Sequence, residues 1–560
     1  MKKIFFSIIL LSLFSITYAN NKEQQKWIKE VAKSVFTLKT FDKNNFLLQS
    51  STGFFVGENG EAISSYAPFK NAYKAIIIDS NGKENNVDYI IGANETYDVI
   101  KFHVNIKKAI PLTISGNTQN DSSEVLLIPY SPNKKVEYTK GKISKTELFK
   151  EQYKYYTIAL NSPFDGNCCP LFNSDGEVLG LTQESSSENT KLAYAVSASF
   201  ANDLKTNGLS INDPALKNTY IKKALPDTED QAILALYLGS KSLDSLNYVE
   251  LVDDYIKKFP NSHEGYIHKA QIYCDAKLFE KAEEYMNLAK HNSSKPEDVH
   301  YSYAKMIFGK ELYFTDIQYD NWNLDKAIAE TDMAYSINPL PTYKQLKGQI
   351  LFAQAKYDES YQIYKQITDS GTKTAELFIE QARCMEMLND TTKMLALLDS
   401  AINTYSKPYL REVAPYLLIR AQALTSNKQY RKAVVDYNDY EKLMGETLNA
   451  NFYYIRYQCE LEGKLYQLAL NDINKAININ PKEPLYYAEK SSLEIRVNLI
   501  DDAITTARNC IAEHPQYSDG YLFLGLALCI KGQKVDGIAN LKKAFELGNN
   551  QAQILIEKYK

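Results

Sequence analysis

Asp165-Gly166-Asn167-Cys168-Cys169-Pro170-Leu171-Phe172-Asn173-Ser174-Asp175-Gly176-Glu177-Val178-Leu179-Gly180-Leu181 is the stretch that organises this 560-residue chain. Its end, Glu177–Thr182, reads as a strand. Working outward, the chain from Trp27 to about Gly208 is short-patterned, β-rich and punctuated by turns. Ser34–Thr40 alternates as a strand, and Phe46–Tyr66 reads as two strands joined at Asn59-Gly60, a strong turn pair. Further candidates are Ala75–Asp79, Tyr89–Gly92, Val99–Val104, Glu124–Pro129, Tyr155–Leu160 and Leu192–Val196. Many short strands at this spacing call for a sandwich or a closed barrel, and pattern alone leaves both open.

Four correctly ordered blocks resolve that choice by resemblance. Pro170–Leu181 resembles the segment after the nucleophile in trypsin-like serine proteases of the Deg type, where Gly-Asn-Ser-Gly-Gly-Pro presents the serine. Ser51–Ala67 resembles the block that ends at the base histidine. Tyr97–Phe102 resembles the strand that carries the triad aspartate, and Leu192–Val196 the late strand that closes such domains. The resemblance covers residues 27–208 and implies a two-barrel, all-β fold.

The same matches imply a degenerate triad. Counting back from Pro170 without a gap puts Asn167 at the serine, with Ala67 at the histidine and Asp98 at the aspartate. A triad needs an imidazole to take the hydroxyl proton and a carboxylate to orient that imidazole. Alanine cannot do the first, and asparagine offers no hydroxyl. Asp165, Cys168 and Cys169 also carry side chains where the family uses glycines to aim backbone amides at an oxyanion. No catalytic residue is therefore expected. Sliding the match by one residue offers an alternative, an active trypsin-fold peptidase with Cys168 as nucleophile or with a base supplied in some unforeseen way. His103, the sole histidine of this half, lies five residues beyond Asp98 and is expected on the opposite face.

Past residues 209–230, which read as a polar connector, the apolar period changes to that of a helix. Tyr266, Ala270, Tyr273, Phe279, Ala282 and Ala289 carry the spacing of a tetratricopeptide repeat, a two-helix unit of about 34 residues. A small residue recurs at the start of each second helix: Ala327, Ser360, Ala433, Ala469, Ala503 and Gly537, with Met394 the large exception. Ala334, Ala401, Ala476, Cys510 and Ala544 follow seven later, and Gly348, Ala382, Ala421 and Gly525 mark first helices. About eight or nine repeats over residues 231–560 are expected to stack as an all-α solenoid, because one helix pair cannot bury its own apolar face. Glu311–Asn323 reads as an insertion. Arrays of this family bind proteins or peptides on a concave surface. His268, Lys269, Arg456, Gln458 and Lys490 are polar first-helix residues that could face it.

The formal net charge of −4 gives no electrostatic case for nucleic acid. Seven cysteines, none in a Cys-x-x-Cys or Cys/His cluster, suggest neither a disulfide framework nor a metal site, and no cofactor is expected. Met1-Lys2-Lys3, the apolar run Ile4–Ile16 and Thr17-Tyr18-Ala19 read as a signal peptide over residues 1–19. That run is too short for the ~20 residues that span a bilayer. The mature chain is expected to be exported, in the periplasm, at the cell surface or in the medium, with no membrane span. The whole reads as an adaptor that binds protein partners through its array.

Overall fold

The computed structural model describes residues 26–116, 119–132, 136–164, 166, 168–184 and 191–560. The expected signal peptide, Asp165 and Asn167 lie outside them. The chain divides into two compact units, Met1–Ser294 and Lys295–Lys560.

A helix over 26–31 precedes twelve strands: β1 (Val35–Phe41), β2 (Leu47–Phe55), β3 (Glu61–Ser64), β4 (Lys74–Ile78), β5 (Glu84–Asn94), β6 (Val99–Val104), β7 (Glu124–Leu127), β8 (Thr139–Phe149), β9 (Tyr153–Leu160), β10 (Pro170–Phe172), β11 (Val178–Gln183) and β12 (Leu192–Ser197). They form two closed barrels, ordered β1-β2-β3-β6-β5-β4 and β10-β11-β12-β9-β8-β7. Strand alternation explains how both faces become buried. Phe36, Phe55, Ala62 and Ile100 fill the first barrel. Their neighbours Val35, Phe54, Ile63 and Val99 turn outward and pack against Phe172, Val178 and Val196 of the second. The seam between the barrels is thus a core in its own right, lined by Ile28 and Trp27 from the leading helix.

The β2–β3 hairpin closes with Val56 N–H donating to Glu61 O at 2.8 Å, so Gly57–Gly60 form a four-residue loop, wider than a two-residue turn. Only Gly60 of these adopts positive φ, +99°, and a Cβ there would lie 2.3 Å from the Val104 carbonyl oxygen. β8 escapes the sequence pattern. A bulge between Ile143 and Lys145 shifts its phase, and few of its residues are buried, so period two is lost within the strand.

Residues 209–230 do not form a free tether. Ala215, Leu216 and Ile221 belong to the core of the first barrel. Tyr66 OH donates to Ala215 O at 2.8 Å, and Ile90 N–H to Lys222 O at 2.8 Å. Asp213 caps the short helix Pro214–Lys217, accepting from the amides of Ala215 and Leu216. The strap also holds the first helix pair, since Lys222 meets Glu250 at 3.2 Å and Lys258 Nζ donates to Leu225 O at 2.9 Å. The segment looks polar because it lays its few apolar residues on a barrel and turns the rest outward.

From Glu229 the chain is helical. The antiparallel pairs begin with Glu229–Ser242/Ser245–Lys258 and His263–Asp275/Phe279–Asn292 in the first unit. In the second unit they run from Pro296–Tyr313/Leu324–Ile337 to Ser518–Ile530/Lys534–Glu546, followed by Gln551–Tyr559. The small marks sit where helices touch: Ala282, Ala327, Ser360, Ala433, Ala469 and Ala503 are fully buried. A Cβ on Gly348 would lie 2.7 Å from the Tyr364 ring, and one on Gly525 2.7 Å from Leu541. The inserted segment after Tyr313 places Trp322 in the core, its indole N–H donating to Tyr303 OH at 3.1 Å. No helix among the described residues is long and apolar enough to cross a membrane.

Candidate functional site

Asp98 ends a turn just before β6 with φ +49°. Its carboxylate Oδ1 accepts the backbone N–H of Ala67 at 2.7 Å. Ala67–Phe69 is a single 3-10 turn with Pro68 in its first positions, so its leading amides lack partners within the turn. Asp98 supplies them from a distant strand end. Burial raises the Asp98 carboxyl above its ordinary range, while the amides of Ala67 and Tyr66 and the nearby Lys70 charge pull it back.

Cys168 lies on the turn that enters β10, also with positive φ, +56°. Its N–H donates to Thr182 O at 2.8 Å, and the next amide, of Cys169, donates to Thr182 Oγ1 at 2.9 Å. The Thr182 hydroxyl in turn donates to Gly166 O at 3.1 Å. The amides of Cys168 and Cys169 are therefore both consumed by Thr182 of β11. The Cys168 thiol is fully buried in the seam between the barrels, against Ser64 and Ser65. Burial pushes that thiol far above its usual value, and the Asp98 charge adds to the effect. Cys169 points the other way, into the second barrel. Ser64 donates to Thr52 O at 2.7 Å, and Ser65 shares a hydrogen bond with Ser51 at 2.9 Å.

The fold brings Ala67, Asp98 and Cys168 into one neighbourhood and leaves His103 out of it. His103 sits at the far end of β6, opposite Glu61 and Tyr89. Its Nδ1 meets Asp88 Oδ2 at 3.2 Å, and its ring stacks on Tyr89 with centroids 4.7 Å apart. The serines and Thr182 escaped sequence reasoning. Only Ser64-Ser65, in the block matched to the base-histidine segment, signalled their place.

In the array, two of the expected groove residues prove to be interior. Lys269 is 6% exposed and meets Asp253 at 2.6 Å. Arg456 is 2% exposed and holds Asp472 through Nε and Nη2 at 2.5 and 2.9 Å, with Asn438 on Nη1 at 2.8 Å. An arginine fork can satisfy a buried carboxylate from both sides, which an outward-facing reading cannot anticipate. His268 pairs with Tyr248 OH at 2.6 Å, and Gln458 is exposed. The open surface lies elsewhere. Clefts of about 520 and 450 Å³ flank the seam between Thr391–Ile402 and Ala414–Ser426. Met394, the large exception in the small-residue register, lines the second, together with Ile379, Arg383, Ile419 and Gln422.

No protein-family model matches the chain. Over 100 residues, 18% of its length, it is 28% identical to the Small glutamine-rich tetratricopeptide repeat-containing protein 2 of Saccharomyces cerevisiae. That stretch spans 29% of the yeast protein, so the chain covers less than a third of this relative. The likeness supports tetratricopeptide-like repeats in the helical region. The two barrels fit a trypsin-like double barrel.

Proposed function

We propose that this chain is an exported, non-catalytic adaptor, in which a trypsin-like domain without a working triad is joined to an array that binds protein or peptide partners. The observation that carries the first half is the 2.7 Å bond from Ala67 N–H to Asp98. One oxygen of the carboxylate that would orient an imidazole instead holds the backbone of the residue matched to that imidazole, whose methyl side chain carries no base. The buried thiol of Cys168 supports the same reading over a cysteine peptidase, since a thiol held far above its usual pKa supplies almost no thiolate. Export, to the periplasm or beyond, rests on the first nineteen residues of the sequence.

Partner binding rests on the helical pairs, on the relative's repeats and on the clefts beside Met394. The test uses the two compact units, 26–294 and 295–560, as separate baits in cell-envelope extracts, with the full chain beside them. The array unit should recover the full-chain partner. Recovery by the barrel unit alone would assign recognition to the old protease cleft and leave the array a spacer.

A further inference from the structure

In four of the repeats, the residue nine before the small mark of the second helix is an apolar residue of the core. Leu351, Met385, Leu424 and Leu528 hold that place ahead of Ser360, Met394, Ala433 and Gly537, and all four are buried. Two consecutive repeats break the rule. Glu460 precedes Ala469, and Glu494 precedes Ala503, with 2% and 4% exposure. A carboxyl in a leucine position demands partners. Each of these has an Oε2 atom that finds none.

Around Glu460 the charges are already matched without it. Arg456, on its own helix Ala450–Glu462, directs its fork at Asp472 and also meets Glu441 at 2.8 Å, leaving Glu460 at 3.9 Å, outside hydrogen-bond range. Lys475 meets Glu441 at 2.8 Å. The groups facing Glu460 are thus Glu441 from Tyr430–Met444, Asp472 and Lys475 from Tyr466–Ile479, and Arg456 beside it. Two cations balance two carboxylates, and Glu460 is the surplus acid. Burial pushes its carboxyl up to about 8 from an ordinary 4.5, with Asp472 adding to the rise and Arg456 and Lys475 opposing it. Burial likewise raises Glu494, which faces Lys490 on its own helix and Thr506 and Asp502 on the next.

We propose that the repeat built on Ala450–Ile479 is a pH-sensitive joint in the array, closed while Glu460 carries a proton and loosened when that proton leaves. The closed form needs no net charge in the core. The ionised form places an unmatched negative charge between Glu441 and Asp472, and opening the helix pair to water relieves it. The sign follows from the raised carboxyl: its stabilising contribution is complete below the unfolded value and is lost as pH rises through the folded one. This joint stands whether or not the array binds a partner.

Hydrogen exchange of the full chain at pH 7 and pH 9, corrected for the intrinsic rate, tests it. Protection across 450–479 should fall about tenfold between the two, because the opening constant rises about tenfold per pH unit between the open-state carboxyl near 4.5 and the closed-state one at about 8, and levels off above it. Protection across 518–546 should hold. Glu460→Leu, which copies the four apolar repeats, should abolish the fall, and Glu460→Gln serves if that variant folds poorly. Equal falls in both segments of the wild type, or a fall that survives both substitutions, would overturn the proposal.

Discussion

Asp98 accepts the backbone N–H of Ala67 at 2.7 Å, tying the turn before β6 to the turn after β3. The contact is a cap between segments, and its worth can be measured. Asp98→Ala strands a half-buried amide and should cost about 1–3 kcal/mol. Asp98→Asn keeps an acceptor and should cost little. Trp27, packed on Phe172 with ring centroids 6.0 Å apart, is the fluorescent reporter for urea denaturation of 26–294. Because burial raises the Asp98 carboxyl, its contribution is full below the unfolded value near 3.8 and is lost as pH rises through the folded one. Asp98→Asn should therefore gain on the wild type between pH 4 and pH 7. A gain in the opposite direction would contradict the assignment.

All seven cysteines are buried. Iodoacetamide at pH 7.5 should label none of them in the folded protein and all of them in denaturant, as read by intact mass. Casein and peptide libraries should remain uncut by wild type and by Cys168→Ala alike. Fast alkylation of Cys168, or cleavage lost in that variant, would revive the peptidase reading.

The strap over 209–230 sets where the chain can be divided. A fragment starting at Gln231 loses Leu225 from the core of the first helix pair, the Lys258–Leu225 contact and the bond from Gly208 N–H to Gln231 at 2.9 Å. Limited proteolysis should clip that fragment within 231–258. A fragment 295–560 should resist, and equal resistance of both would make the strap dispensable.

Arg456 matches two carboxylates inside the array. Arg456→Ala leaves the buried Asp472 with only Lys475 at 3.8 Å and no hydrogen-bonding fork, and should destabilise the array by about 3 kcal/mol. Arg456→Met combined with Asp472→Leu should recover most of that loss, since Glu441 keeps Lys475 at 2.8 Å. Denaturation of 295–560 followed by Trp322 fluorescence separates these outcomes. Failure of the double variant to improve on the single one would mean that the pair does more than cancel charge.

Much of the fold was legible because periodicity is a local property. Val99–Val104 appears in the sequence with the bounds that the barrel gives it, and the small marks from Ala282 to Gly537 fall where helices meet. β8 was not legible, since its bulge and its exposure erase the alternation that reveals other strands. The site was half legible. Ala67 and Asp98 were singled out by position, but their direct bond, and the hold of Thr182 on the Cys168 and Cys169 amides, join residues 31, 14 and 13 apart in sequence.

The sequence by itself determined which residue types stand at each register position: alanine for histidine at 67, a methionine in a small-residue column at 394, glutamates in a leucine column at 460 and 494. Tertiary structure alone decided what those residues meet. Lys269 and Arg456 turned inward because Asp253 and Asp472 stand across from them, and the polar strap lay down because the first barrel offered its core to Ala215 and Ile221. Periodicity specifies a face, whereas charge and hydrogen bonding choose a partner. Partners distant in sequence are set only when the chain closes on itself.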